Sequence, residues 1–298
     1  MRRVIICALV ALACAVVPAG CESVQETLRT AADVVEQNPD LIEDEEDRET
    51  WVAGARALKS WVSEIDTPEE IAMGQSLALR AFAGFGQPHP DAQLQSYVAK
   101  VGKLVAFQSE RPELPYSFAV VQSEQPNALA LPGGFIFVST GLLRRLNTES
   151  ELACVLAHEV CHVAQKHGIE IVSRDTRITR LVDFGAALDE DVAEYRQFID
   201  RVYQRLTTEG YDHRYEWIAD AAGAEYAYRA GYHPGGLLPF LRESLQSAEP
   251  LAFEAHGTHP DPALRISKIE STLRGLEGYQ SLPNLEDRYQ REVLARLR

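Results

Sequence analysis

Basic residues are scarce: 29 Lys and Arg stand against 44 Asp and Glu in 298 residues, a formal net charge of −15. A chain this acidic is repelled by a phosphate backbone, which excludes nucleic acid as a partner. Cysteine is scarcer still, at five. Cys7, Cys14 and Cys21 fall near the N-terminus, leaving Cys154 and Cys161 in the body of the chain. Seven apart on one predicted helix, these two lie about 10 Å apart along its axis. That exceeds the ~7 Å Cα separation a disulfide tolerates, so two separate buried thiols are expected. Beyond the first twenty residues no apolar run is long enough to span a bilayer, and no repeat suggests a solenoid. What is there is an ordinary globular composition, 46% hydrophobic and 24% charged. The length suffices for one large domain or two small ones.

The N-terminus reads as an export signal. Arg2 and Arg3 precede a wholly apolar Val4–Val17, and Pro18-Ala19-Gly20-Cys21 closes the run with mostly small residues. Small residues before a cysteine resemble a bacterial lipobox, which makes Cys21 the lipidated first residue of the mature chain. Pro18 stands where Leu, Val or Ala is usual. Ordinary cleavage after Ala19, or a cut before Cys14, remains the alternative. Residues 1–20 are therefore expected to be a signal peptide and 21–64 a tether with an N-terminal helical segment. The acidic run Glu43–Glu49 reads as solvated linker.

Further on, Thr67-Pro68-Glu69-Glu70 opens a helix reaching Gly84. Helices are also expected over 90–107, 141–145, 148–166, 214–230, 234–246, 262–274 and 287–297. Thr148-Glu149-Ser150-Glu151 has the capping-box pattern and Gly168 suits a C-cap. Strands are expected at 115–121 and 135–138, the second reached through Asn127–Gly134.

Chemistry concentrates in His158-Glu159-Val160-Cys161-His162. Histidines four apart share one helical face and can offer two imidazoles to one metal ion, with Glu159 placed to hold a water. Cys161 lies roughly 60–100° round the helix from that line and reads as core. A catalytic zinc needs three protein ligands and an open position. Glu216 on a downstream helix is the natural third ligand, and Asp220, one turn on, can hold the other ring nitrogen of a histidine ligand. Taken singly, His-x-x-x-His arises by chance and Glu216/Asp220 reads as a solvated pair; together they describe a metal centre.

The chain resembles the M48 family of zinc metallopeptidases, the group of the CAAX prenyl proteases and HtpX, over about Pro68 to Lys268. The matching segments occur in the family's order: Asn127-Ala128-Leu129-Ala130-Leu131-Pro132-Gly133-Gly134, Gly141-Leu142-Leu143, the His158–His162 motif, Glu216 to Asp220, Ala230-Gly231-Tyr232, and Thr258-His259-Pro260 with Arg265. The resemblance implies an α+β, mainly helical, gluzincin-like domain over 65–275 with a C-terminal helical extension over 276–298. It implies a small mixed sheet whose edge strand lines the cleft, and one Zn2+ per chain on His158, His162 and Glu216. Glu159 would be the general base. His259 and Arg265 are candidates to stabilise the oxyanion, and in some relatives the matching histidine closes the zinc site as a latch. Against that, His259 could cap the helix at Pro262 and Arg265 form a surface salt bridge. Asn127, Pro132, Gly133 and Gly134 are expected on the substrate-pairing strand; an ordinary Pro-Gly hairpin is the alternative. His167 is expected either behind the zinc helix or on its last carbonyls. Tyr211-Asp212-His213 departs from the family's Tyr-Ser-Arg, which puts the role of His213 in doubt.

The resemblance implies a compact lipoprotein type without tetratricopeptide repeats, facing the periplasm. It would hydrolyse unfolded or misassembled envelope proteins and be tethered to a membrane by a lipid anchor. Glu22 after Cys21 favours the outer membrane over the inner. The other function considered is a largely latent, chaperone-like lipoprotein using the same cleft, and a weaker one is zinc-dependent hydrolysis of something other than protein. Oligomeric state is not legible.

Overall fold

A computed structural model describes residue 48 and residues 65–173, 192–209, 211–246 and 261–298. Cys21, the signal and tether, and His259 lie outside these described residues. The chain divides into two compact units, residues 1–66 with 175–190 and residues 67–174 with 191–298; the second carries the structure described below.

Helix α1 (Thr67–Gly84) starts where Pro68 and two acids predict it and leads to a two-residue strand, β1 (Gln87–Pro88). Asp91 caps α2 (Ala92–Ala106) by accepting from the Gln93 and Leu94 N–H groups. Strands β2 (Ser117–Gln122), β3 (Ala128–Leu131) and β4 (Phe135–Ser139) follow, then the short α3 (Thr140–Arg145) capped by Ser139. The sheet order is β1-β2-β4-β3, with β2 and β4 parallel and the outer pairs antiparallel. The expected α+β, mainly helical domain with a small mixed sheet is what the chain forms, and β3 is an edge strand.

The central element is α4 (Glu149–Ala164), buried along its whole length. Its apolar majority packs inside the domain, and its buried polar residues each need a partner there. Thr148 caps it through the Glu151 N–H, while the Glu151 carboxylate reaches back to the Asn147 N–H at 2.7 Å. Cys154 and Cys161 are buried, free thiols on it. Burial pushes the Cys154 thiol up to about 12. The helix ends earlier than Gly168 suggests. Lys166 takes the left-handed conformation (φ 57), and Gly168 falls within the next helix, α5 (His167–Ser173).

Against α1 lies α6 (Val192–Gln204), and against α4 lie α7 (His213–Arg229) and α8 (Leu237–Gln246). α9 (Pro262–Leu273) packs on α7 and α8, and α10 (Glu286–Glu292) again on α4. Asp212 caps α7 and Asp261 caps α9. α7 touches α4 closely because Gly223 lacks a side chain: a Cβ there would stand 2.9 Å from the His158 backbone nitrogen. The C-terminal segment holds the start of α4. Glu149, 2% exposed, accepts from Arg288, Tyr97 and Tyr232, and Ser150 donates to Pro283 and Asn284 carbonyls. Tyr289 is fully buried and donates to the Leu143 carbonyl at 2.7 Å. Among the described residues no helix is long and apolar enough to cross a membrane.

Candidate active site

His158 and His162 stand one turn apart on α4 and face the first turns of α7, which brings Glu216 between them. All three are buried. The His158 and His162 Nε2 atoms are 3.1 Å apart, and Glu216 lies 3.5 Å from the first and 3.3 Å from the second. Donors held at ~2.0–2.1 Å on three corners of a tetrahedral ion stand about 3.3 Å apart. Two imidazoles and a carboxylate so spaced fit a zinc-sized cation, and among the described residues this trio forms the cluster able to hold a metal.

Each histidine has its own support on the far side of the ring. Nδ1 of His158 meets Asp220 at 3.1 Å, and Asp220 is held by Arg265 through Nε at 2.9 Å and Nη2 at 2.7 Å. Arg265 and Asp220 are each 1% exposed. The structure thus places Arg265 on Asp220, buried rather than in a surface salt bridge, and it also lines the cleft beside Glu159. Burial pushes the Asp220 carboxyl up, but the Arg265 guanidinium and the bond to His158 outweigh it and hold it at about 2. Burial opposes charge on His158, yet Asp220 and Glu216 raise it to about 10. The metal-free site therefore keeps a proton, which a bound cation displaces.

Nδ1 of His162 meets Nδ1 of His167 at 3.0 Å. His167 is buried, and that burial pushes its pKa down to about 3, so the ring is neutral. It lies against the far side of the His162 ring, between that ring and Tyr215 of α7, rather than behind α4. Tyr211 stacks on the His162 ring (centroids 4.0 Å, 14°) and Tyr215 on that of His167 (4.3 Å, 20°). Neither stacking role is legible in the sequence, where Tyr211 stands out only as the tyrosine that the family pattern retains.

Glu159, on the neighbouring face of α4, is 4% exposed and accepts from the Ala130 N–H. Burial pushes its carboxyl up to about 7. A narrow cleft beside it is walled by Leu142, Val155, Leu237, Phe240 and Leu241. The register of β3 explains the Ala130 contact. Asn127 is hydrogen-bonded to Ser139, so alternation turns the backbone groups of Ala128 and Ala130 away from β4, toward the open edge. There the Ala130 carbonyl accepts from the Tyr211 hydroxyl at 3.4 Å.

The remaining residues expected on that strand lie elsewhere. Pro132, Gly133 and Gly134 form a buried 3-10 turn against α1. The Gly133 N–H donates to Glu70 at 3.0 Å, and Glu70 is paired with Arg111 at 2.8 Å. A Cβ on Gly74 would overlap the Pro132 carbonyl at 2.0 Å, so α1 lies directly on the turn. Asn127 precedes β3, its N–H on the Ser139 hydroxyl at 2.9 Å.

Residues 71–273 match peptidase family M48. The chain belongs to that family. This M48 chain is 31% identical over 182 residues to the mitochondrial metalloendopeptidase OMA1 of Schizosaccharomyces pombe, covering 59% of itself and 52% of that protein. It is 27% identical over 210 residues to the beta-barrel assembly-enhancing protease of Yersinia pestis (67% and 43%). With the protein of that name from Escherichia coli strain K12 it shares 26% over 223 residues (69% and 44%). The chain spans about half the length of the curated relatives it matches.

Proposed function

We propose that this M48 chain is a zinc-dependent endopeptidase. The observation that carries the proposal is the triangle of His158, His162 and Glu216 beside a buried, weakly solvated Glu159. Zinc bound to the three donors supplies a Lewis acid for the scissile carbonyl and acidifies a water. Glu159 takes a proton from the attacking water and passes it to the leaving amine; a carboxyl near pH 7 suits both transfers. Asp220, fixed by Arg265, holds the Nδ1–H of His158 so that Nε2 presents its lone pair. An extended substrate adds to β3 at the outward backbone groups of Ala128, following Asn127 and ahead of the Pro132-Gly133-Gly134 turn, and reaches those of Ala130 by displacing Glu159 and Tyr211. The apolar wall from Leu142 to Leu241 receives one of its side chains. His259 is proposed as the oxyanion donor or latch at the same cleft.

The biological setting belongs to the same proposal: a chain lipid-anchored at Cys21 on the periplasmic side, on the outer rather than the inner membrane, degrading unfolded or misassembled envelope proteins. The names of the Yersinia and Escherichia relatives, proteases that enhance β-barrel assembly, support it.

The test is metal analysis of the purified protein beside cleavage of casein with and without chelator. One zinc per chain and cleavage abolished by chelator and restored by zinc are expected. Cleavage indifferent to chelator, or a protein that takes up no zinc, would sink the proposal.

A further inference from the structure

His162 and His167 face each other Nδ1 to Nδ1 at 3.0 Å, both buried. Two ring nitrogens at that distance cannot both present lone pairs, nor can both neutral rings point a proton into the gap; one proton lies between them. Its position decides what the other side of His162 can do. With the proton on His162 Nδ1, its Nε2 carries a lone pair toward His158 Nε2 and Glu216, 3.1 and 3.3 Å away. With the proton on His167, a neutral His162 has its hydrogen on Nε2 and is no ligand.

We propose that His167 is a positioning residue that accepts the Nδ1–H of His162 and thereby holds it in the metal-binding tautomer. This rests on the metal reading above. His167 itself must then carry its proton on Nε2. The fold provides for a fixed acceptor. His167 follows the left-handed Lys166 at the start of α5, and Tyr215 stacks on its ring at 4.3 Å. Tyr211 closes the other face of His162 at 4.0 Å. The two metal histidines are therefore supported by different chemistries: a carboxylate anchored by an arginine behind His158, a neutral imidazole behind His162. Asp220 tolerates only a donor, whereas an imidazole takes either role, so the His162 side is the one that ion binding can set.

The test is zinc affinity by competition with a chromophoric chelator, for wild type, His167→Leu and His167→Asn. The Asn oxygen occupies roughly the place of Nδ1 and restores the acceptor. Loss of such a supporting bond costs 10–100-fold in metal affinity. His167→Leu should fall by that factor and His167→Asn should stay close to wild type. Unchanged affinity in His167→Leu overturns the proposal, and so does an equal loss in both variants, which would mark packing as the cause. Wild type that binds no zinc would sink the metal reading instead. Long-range 15N–1H spectra of the zinc-loaded wild type need no variant to fold: they should show His167 protonated on Nε2 alone. A proton on His167 Nδ1 overturns the proposal outright.

Discussion

Glu149 and Glu159 are two buried carboxylates on one helix, at 2% and 4% exposure, and their surroundings differ sharply. Glu149, at the start of α4, is met by the Arg288 guanidinium and by the hydroxyls of Tyr97 and Tyr232. Glu159, a few turns on, accepts from the Ala130 N–H and has no arginine bonded to it among the described residues; burial pushes it up to about 7. Glu70 resembles Glu149, since Arg111 and the Gly133 N–H hold it. A carboxylate surrounded by donors is held in one position and serves the fold. One poor in donors can change its charge near neutral pH, as proton transfer requires.

The comparison breaks most visibly at turnover. Glu159→Gln should lower the rate of casein cleavage by about 10²–10⁴-fold, the usual worth of a general base, with zinc content and circular dichroism unchanged. Glu149→Gln should leave turnover per folded molecule as it is. If Glu159→Gln cleaves normally, the two carboxylates do not divide the work this way. If it still complements an envelope-stress phenotype while inactive, a holding rather than a cutting role gains.

A second, somewhat smaller effect concerns pH. The folded-state pKa of Glu159 lies above its ordinary 4.5, so the folded form binds the proton more tightly. Its contribution is present in full below about pH 4.5 and is lost as pH rises through about 7, on the order of 3 kcal/mol. His167, lowered to about 3, contributes an opposite slope over much of that window, so the loss is read as the difference between wild type and Glu159→Gln in urea unfolding of metal-free protein. A difference that stays flat from about pH 4.5 to about 7 contradicts the environment described for Glu159.

The smallest effect belongs to Glu149. Removing one partner of a fully buried ion pair costs about 3–5 kcal/mol, but Arg288 is 44% exposed, so Glu149→Ala should cost about 2 kcal/mol. Chemical denaturation measures it. A loss of turnover without loss of stability would make Glu149 part of the chemistry.

The site was legible where its geometry follows from helical spacing. His158 with His162, and Glu216 with Asp220, are four apart on helices, so sequence alone predicts their shared faces. That α4 and α7 meet there depends on Gly223, whose significance appears only once the helices are packed. Arg265 stands out in the sequence, but its bond to Asp220 does not, because a long side chain's partner is set by tertiary contact. Glu149 and Glu70 were invisible: in a chain this acidic a buried carboxylate looks like any solvated one. The helix end was misplaced because glycine is the usual left-handed residue, and here Lys166 takes that conformation. The capping box was readable, although Glu151 reaches Asn147.

Arg288, Pro283 and Asn284 all lie past residue 273, where the family match stops, yet they fasten the first turn of the helix that presents both histidines. A fragment trimmed for expression to the matched segment would keep every proposed zinc donor. It would also leave the Glu149 anion without its arginine and open the helix's first turn to water. Such a fragment is a poor reagent for asking whether the protein is active, and silence from it would say nothing about the enzyme.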